Sequence, residues 1–187
     1  MLTLDGIGCV RDGRLLFRDL SVHLAPGEAA VVTGANGAGK SSLLRIAAGL
    51  LRPTAGRVER RGAVALDTEL SALDPDRSLG DALAFWARLD GAAGEATANA
   101  LAALDLLALA PVPVRLLSTG QRRRASLARL VASGARLWLL DEPTTGLDAD
   151  ACHRLAAILA SHRAAGGAVL AATHTPLSLA GAREIRL

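Results

Sequence analysis

Lysine and glutamine each occur only once in this chain of 187 residues, and tyrosine is absent altogether. Two phenylalanines and two tryptophans bring the aromatic content to just 2%. Proteins that bind nucleic acid combine a clustered basic surface with aromatic stacking platforms. Here the net charge is +3, but the arginines are scattered and aromatic residues do not interleave with them. We therefore expect no nucleic-acid partner.

Long apolar runs and closely spaced cysteines are also missing. The apolar stretch at 101–111 is interrupted by Asp105 and by a proline, well short of the ~18 residues that indicate a membrane-spanning helix. Cys9 and Cys152 are far apart and lack metal-ligand spacing, so we expect idle thiols. The N-terminal stretch does not have the basic-then-apolar order of a signal peptide, which predicts a cytoplasmic chain.

Short apolar runs predict the strands of the core. They are continuous rather than alternating, as expected for a parallel sheet that is covered on both faces, and they are AAVVTG (29–34), LWLLDEP (137–143) and AVLAAT (168–173). The stretch KSSLLRIAAGLL at 40–51 has the apolar stripe of a helix. Near the N-terminus, LTLDGIGCV and LLFRDLSVHL predict a small antiparallel edge sheet.

Helical patterns dominate the middle of the chain. Three helices are predicted, at 78–91, 96–110 and 119–134. We therefore expect an α/β fold in a single domain, residues 1–187. It would have a mostly parallel core sheet, an N-terminal antiparallel edge sheet and a helical subdomain inserted at about 73–133.

The only lysine lies in the glycine-rich stretch GANGAGKSS, residues 34–42, between a predicted strand and a predicted helix. This stretch fits the phosphate-binding pattern G-x-x-x-x-G-K-[ST], in which glycines turn backbone N–H groups toward phosphates and the helix N-terminus adds its dipole. A compact ammonium fits such a narrow loop better than a guanidinium does. The expected nucleotide-binding residues are Gly34, Ala35, Asn36, Gly37, Ala38, Gly39, Lys40, Ser41 and Ser42.

Two acidic residues follow the strand LWLLDEP. Asp141 ends the apolar run, where its carboxylate can hold Mg²⁺ through water together with the Ser41 hydroxyl. Glu142 comes next and can polarise an attacking water. Such a strand end is common by itself, and it gains meaning from the phosphate loop upstream.

The only glutamine belongs to a second motif, LSTGQ. Ser118 is placed to cap the helix that follows, and Gly120 permits a close approach of the backbone to phosphate. In isolation this stretch indicates a plain helix cap, and nucleotide contact by Ser118, Thr119, Gly120 and Gln121 is implied only by the family resemblance of the whole chain.

The order of these motifs resembles that of the ATP-binding cassette (ABC) ATPases. The resemblance covers about residues 2–187 and includes the loop GLD at 146–148 and the strand that ends at Thr173 and His174. It implies an ABC-type P-loop nucleotide-binding fold that uses ATP and Mg²⁺. It further implies that Glu142 is the catalytic base, that His174 contacts the γ-phosphate, and that Asp148 lies in a loop facing a second subunit.

The same resemblance implies a homodimer in which two chains face each other head to tail. Each ATP would lie between the phosphate loop of one chain and the LSTGQ motif of the other. Hydrolysis would open this sandwich and drive integral membrane transporter subunits.

The chain departs from the family pattern at three points. Thr119 replaces a glycine that the family usually has. Without a tyrosine, adenine would pack against Val10 or against the guanidinium of Arg11. No glutamine lies between Gly49 and Gly120, where the family places a Mg²⁺-sensing glutamine, and Glu69 or Asp67 falls nearest that position. We treat Glu69 as a weak metal candidate beside the alternative of a solvated loop acid.

Four longer stretches look like the ATP-binding subunits of haem exporters in cytochrome c maturation: CVRDGRLLFRDLSVHLAPGEA, LLRPTAGRV, LLSTGQRRRASLARL and HRAAGGAVLAATHTPLSL. This resemblance implies a peripheral protein on the cytoplasmic face of the inner membrane. The alternatives are an ATPase for another exporter, of a drug or a lipid, an ABC ATPase acting on DNA or the ribosome, and a subunit that binds nucleotide without hydrolysing it.

Overall fold

The computed structural model describes residues 1–68, 72–92, 94–175 and 177–187. The strands are β1 (Leu2–Arg11), β2 (Arg14–Leu24), β3 (Ala29–Thr33), β4 (Ala55–Arg60), β5 (Val64–Asp67), β6 (Leu137–Asp141), β7 (Ala168–Ala172) and β8 (Arg183–Arg186). The α-helices are α1 (Lys40–Ala48), α2 (Leu79–Leu89), α3 (Ala96–Ala103), α4 (Thr119–Ala132) and α5 (Ala149–Ala164).

The larger sheet has the strand order β5-β6-β7-β3-β8, and all its neighbouring strands are parallel. Because the strands run in one direction, their carboxyl ends meet at a single edge of the sheet, where open α/β sheets bind ligands. The chain emerges at that edge as Gly34 after β3, Thr68 after β5, Glu142 after β6 and Thr173 after β7.

The position of β6 within the sheet explains why its sequence is a continuous apolar run. Leu137 and Leu139 pack into the cluster formed with α1 and β1, whereas Trp138 and Leu140 pack into the cluster formed with the helices of the opposite side. Both faces of the strand are therefore buried, so no position calls for a polar residue. The predicted α/β architecture with a covered parallel core sheet is confirmed.

The smaller sheet is antiparallel, with the order β2-β1-β4, and β4 adds a strand to the two that the sequence predicted. The apolar side of β1, with Leu2, Leu4 and Ile7, is buried in one cluster with Leu43 and Leu44 of α1. This packing holds the β1–β2 hairpin against the start of α1.

Helices α2, α3 and α4 follow β5 and precede β6 along the chain. The predicted helix 96–110 is wrong in length, because α3 ends at Ala103. Asp105 adopts a left-handed backbone with φ of 54°, which breaks the helix, and a 3-10 turn follows at Leu107–Leu109. Aspartate tolerates this conformation better than most residues do. Among the helices of the described ranges, none is long and apolar enough to span a bilayer.

Candidate functional site

The glycine-rich loop connects β3 to α1 and wraps around the side chain of Lys40. The ammonium Nζ donates hydrogen bonds to the carbonyl oxygens of Gly34 (2.8 Å) and Ala35 (3.3 Å), and the residue is only 7% exposed. Gly39 is the N-cap of α1 at φ of 107°, a left-handed conformation that favours glycine. The loop therefore adopts the predicted strand–loop–helix arrangement, with the helix N-terminus facing the cleft described below.

Glu142 and His174 form a close pair at the ends of β6 and β7. The imidazole Nδ1 lies 2.8 Å from Oε1 of the carboxylate, and the His174 backbone N–H donates to Oε2 at 3.3 Å. The Glu142 side chain is 14% exposed and that of His174 is 54% exposed. The carboxylate is thus held from one side while the imidazole remains open to the cleft.

The hydrogen bonds to Glu142 favour its ionised form. Burial raises the pKa of Glu142, but hydrogen bonds from the side chain and backbone of His174 and from Thr173 outweigh burial, so the pKa lies below its ordinary value. The carboxylate is therefore ionised at neutral pH. An ionised carboxylate in this position can accept a proton from water.

A cleft of about 570 Å³ brings most of the predicted residues together. Its lining combines phosphate-loop residues, acidic residues and the histidine: Asn36, Gly37, Gly39, Lys40, Ser41, Ser42, Asp141, Glu142 and His174. Leu16, Arg45 and Thr68 complete it. A helix N-terminus, an ammonium and two carboxylates around one cavity suit a polyphosphate bound with a divalent cation.

Leu16 of β2 is the residue of the β1–β2 hairpin that lines this cleft. The sequence interpretation proposed Val10 or Arg11 for the adenine, but neither is among the lining residues, and Val10 is instead an exposed apolar side chain. The sequence did not indicate Leu16, because the family pattern places the adenine contact after the first strand. Its neighbour Phe17 is buried and packs beside Gly39, so the hairpin register brings Leu16 to the mouth of the loop.

The LSTGQ motif lies outside the cleft. Ser118 caps α4, accepting a hydrogen bond from the Gln121 backbone N–H at 3.2 Å, and the Gln121 side-chain oxygen accepts from the Ser118 N–H at 2.8 Å. The predicted capping role of Ser118 is confirmed, and the only glutamine completes the capping box. Thr119 and Gly120 form the first turn of α4.

Asp148 also lies outside the cleft and caps α5, its Oδ1 accepting a hydrogen bond from the Ala151 N–H at 2.8 Å. The loop that precedes it approaches the LSTGQ motif, because a methyl group built on Gly120 would lie 3.5 Å from the carbonyl oxygen of Gly146. One chain therefore presents a phosphate-loop cleft and, elsewhere, a second surface formed by the LSTGQ motif and the GLD loop.

Asp67 does not line the cleft, unlike its neighbour Thr68. Its carboxylate is buried and forms an ion pair with Arg123 of α4, with 2.9 Å between Oδ2 and Nη1. Glu69, the other candidate for the sensing position, lies outside the described residues. The sequence reasoning missed Arg123, although a charged residue on the apolar face of a predicted helix was the available signal.

Known proteins resemble this chain in sequence and in fold. A family profile described as ABC transporter matches residues 17–145. The cytochrome c biogenesis ATP-binding export protein CcmA of Sphingopyxis alaskensis is 55% identical over 185 residues, which cover 99% of this chain and 95% of that protein. The protein of the same name from Novosphingobium aromaticivorans is 53% identical over 186 residues, which cover 100% of this chain and 95% of that protein.

A solved structure supports the same fold. It is a dimeric ATP-binding cassette in a post-hydrolysis state bound to ADP and phosphate, and it matches with a TM-score of 0.82. The match covers 94% of this chain and 88% of that chain at 21% identity.

Proposed function

Because the chain belongs to the ABC transporter family and, within it, to the cytochrome c biogenesis ATP-binding export proteins, we propose that it powers haem export or handling for c-type cytochrome biogenesis. It would do so as the ATP-hydrolysing subunit of a transporter complex. The observation that carries the ATPase chemistry is the single cleft shared by Lys40, Ser41, Asp141, Glu142 and His174. The sequence identity to the export proteins supports the role in cytochrome c biogenesis.

ATP binds through its phosphates at the start of α1. The backbone N–H groups of residues 34–42 and the positive end of the helix dipole face the β- and γ-phosphates. The Lys40 ammonium, which now donates to the carbonyls of Gly34 and Ala35, turns to the phosphate oxygens. The adenine packs against Leu16 at the mouth of the cleft.

Two oxygen donors in the cleft fit Mg²⁺. The Ser41 hydroxyl and the Asp141 carboxylate are hard ligands of the kind this ion prefers, and both line the cleft. We propose that Ser41 holds the ion directly and that Asp141 holds it through water. Mg²⁺ held by these residues would neutralise negative charge on the phosphates. Glu69, the further candidate ligand, lies outside the described residues.

Hydrolysis uses Glu142 and His174 together. The Glu142 carboxylate takes a proton from the water that attacks the γ-phosphorus. His174 uses Nδ1 to hold the carboxylate, which leaves Nε2 available to contact the γ-phosphate. His174 would thus orient the base and contact the γ-phosphoryl group, whose bond to the bridging oxygen breaks as ADP leaves.

A homodimer would complete each site. Ser118, Thr119, Gly120 and Gln121 lie outside the cleft of their own chain, and we propose that they contact the ATP bound to a second chain arranged head to tail. Asp148 and its loop lie beside this motif and would face the partner. The dimeric assembly of a structurally similar ATP-binding cassette supports a dimer.

Integral membrane subunits would dock on a groove of about 420 Å³ between β5 and the helices. Its lining includes Leu50 and Arg129, and Leu50 is 71% exposed. Leu89 of α2 adds a further exposed apolar side chain on the helical part.

We propose one ABC domain, residues 1–187, whose helical subdomain at about 73–133 carries one wall of this groove. The protein would be peripheral on the cytoplasmic face of the inner membrane.

The cellular role is tested by deleting the gene and staining membranes for covalently bound haem. We expect c-type cytochromes to disappear, to return with the wild-type chain and not to return with Glu142→Gln. Normal c-type cytochromes in the deletion strain would contradict the haem role and favour an exporter of a drug or lipid. Recovery of ribosomes or DNA, rather than integral membrane proteins, with the tagged chain would contradict the transporter role.

A further inference from the structure

The guanidinium of Arg123, on α4, contacts two other chain segments, at the ends of β5 and β6. It forms the buried ion pair with Asp67 at the end of β5, and the two side chains are only 8% and 1% exposed. Nη1 also donates to the Thr68 carbonyl at 3.3 Å, and Nη2 donates to the carbonyls of Asp141 at 3.4 Å and Glu142 at 3.1 Å. One side chain of α4 therefore holds the backbone of the two acidic residues of the cleft.

Stability alone does not account for this buried pair. Taking two charges out of water is so unfavourable that well-packed apolar residues often serve as well or better. The Asp67 carboxylate has a further partner, because the Ser126 hydroxyl donates to Oδ1 at 2.6 Å. The pair thus keeps a fixed guanidinium at a place where apolar residues could not donate hydrogen bonds.

The backbone that Arg123 holds is strained. Glu142 has a φ of 47°, in the left-handed region that residues other than glycine rarely adopt. Its N–H donates to the Ala172 carbonyl at 2.8 Å, and Arg123 binds its carbonyl. A strained residue at a functional site persists only where surrounding contacts over-determine it.

We propose that Arg123, held by Asp67, is a positioning residue that keeps the Asp141–Glu142 backbone in the conformation required for hydrolysis. Arg123 is not among the residues that line the cleft. Because Arg123 lies on α4, the same contact ties Glu142 to the helix whose first turn, in the proposed dimer, contacts the ATP of the partner subunit. This inference rests on the proposed role of Glu142 as the catalytic base.

The test compares Arg123→Met with the double variant Arg123→Met/Asp67→Leu in the full chain. The single variant leaves a buried carboxylate without its charge partner and should lower the unfolding temperature. The double variant replaces both charges with apolar groups and should recover that stability. We expect kcat to stay about 10²-fold below wild type in the double variant, with the Kd for ATP within about threefold of wild type, since small misplacements of a catalytic group have effects of this size.

A double variant that recovers both stability and kcat would overturn the proposal, because the pair would then be merely structural. A Kd for ATP that weakens in step with kcat would also overturn it, because the defect would then include the binding site. If the double variant fails to fold, the Arg123→Lys variant tests the positioning role instead. An ammonium can pair with Asp67 but lacks the planar fork that reaches both carbonyls, so kcat should fall about tenfold at unchanged ATP affinity, and an unchanged kcat would refute the role.

Arg124→Met is the matched control. Its guanidinium donates to the carbonyls of Leu104 and Asp105, away from the cleft, so kcat should equal that of wild type. Glu142→Gln, measured in parallel, separates the proposed catalytic role of Glu142 from the proposed positioning role of Arg123. If Glu142→Gln hydrolyses ATP normally, the catalytic assignment fails. If it is inactive while the Arg123 variants are fully active, only the positioning role fails.

Discussion

The Glu142 carboxylate and the His174 imidazole are 2.8 Å apart, although the two residues belong to different strand–loop junctions. They meet because β6 and β7 are parallel neighbours in register, with Asp141 opposite Ala172 at the carboxyl ends of both strands. The residues that follow these strands are consequently neighbours as well. Sheet topology thus brings together the proposed proton acceptor, Glu142, and the imidazole that contacts it.

Glu142→Gln should stop hydrolysis while ATP stays bound. The amide keeps the size of the side chain but cannot accept the proton, so kcat should fall by about 10²- to 10⁴-fold, the usual contribution of a general base. Trapped nucleotide should also hold two chains together, which light scattering in the presence of ATP and Mg²⁺ would detect. Glu95→Gln, an exposed glutamate at the start of α3, is the matched control and should be fully active. Normal turnover by Glu142→Gln would disprove its role as the base.

Lys40→Arg should lose nucleotide binding almost as completely as Lys40→Ala. The Lys40 side chain is buried and its ammonium is closely surrounded by the carbonyls of Gly34 and Ala35, so the broader guanidinium would open the loop. Calorimetric titration with ATP measures the effect, and the unfolding temperature of each variant verifies that it is folded. Tight ATP binding by Lys40→Arg would mean that charge alone, rather than shape, selects lysine at this position.

The sequence predicted the buried strands and the phosphate loop, because there the local residue pattern by itself indicates the structure. The strands at 29–34, 137–143 and 168–173 were predicted to within two residues, because buried parallel strands are continuously apolar. The family expected from the order of the motifs is confirmed. The phosphate loop was recognisable because its spacing is nearly independent of tertiary context.

The sequence did not predict contacts between segments that lie far apart along the chain. Arg123 and Asp67 lie far apart along the chain and no local pattern pairs them, so their ion pair depends on how α4 packs beside β5. Leu16 reaches the cleft only through the register of the β1–β2 hairpin, which contains irregular pairings between Leu4 and Val10. Asp105 broke a periodic helix by its backbone conformation, which periodicity does not report.

Leu16→Ala should weaken ATP binding by about tenfold, because roughly 1.4 kcal/mol of apolar contact with the base would be lost. Binding of inorganic tripolyphosphate should be unchanged, since the phosphate loop is untouched. Leu15→Ala is the matched control, because Leu15 precedes it on β2, is exposed, and is not among the residues that line the cleft. Equal loss of affinity for ATP and tripolyphosphate would show that Leu16 acts on the loop rather than on the base.

Gly167→Ala should destabilise the fold by about 1–3 kcal/mol, the usual effect of overpacking. A methyl group at Gly167 would overlap the His162 ring. That ring cannot move aside easily, because it stacks on Trp138 with centroids 3.7 Å apart and planes at 6°. Gly94→Ala is the control, since nothing lies within 4 Å of the added methyl group. Urea unfolding measures the free energy of unfolding of both variants. Equal values would mean that the His162 ring can move away from Trp138 at little cost.

His162 should make the free energy of unfolding depend on pH near neutrality. Burial lowers the pKa of His162 below its ordinary value near 6.5. The unfolded chain therefore takes up a proton at a higher pH than the folded chain does, so folding stability is fully present above about pH 6.5 and declines as the pH falls toward the folded-state pKa. His162→Gln removes this titration and should flatten the dependence between pH 7 and 5, measured by urea unfolding. His153→Gln carries the same change at an exposed position of α5 and controls for the loss of an imidazole as such. An unaltered slope in His162→Gln would mean that other groups cause the acid sensitivity, because only a group with different proton affinities in the two states can contribute.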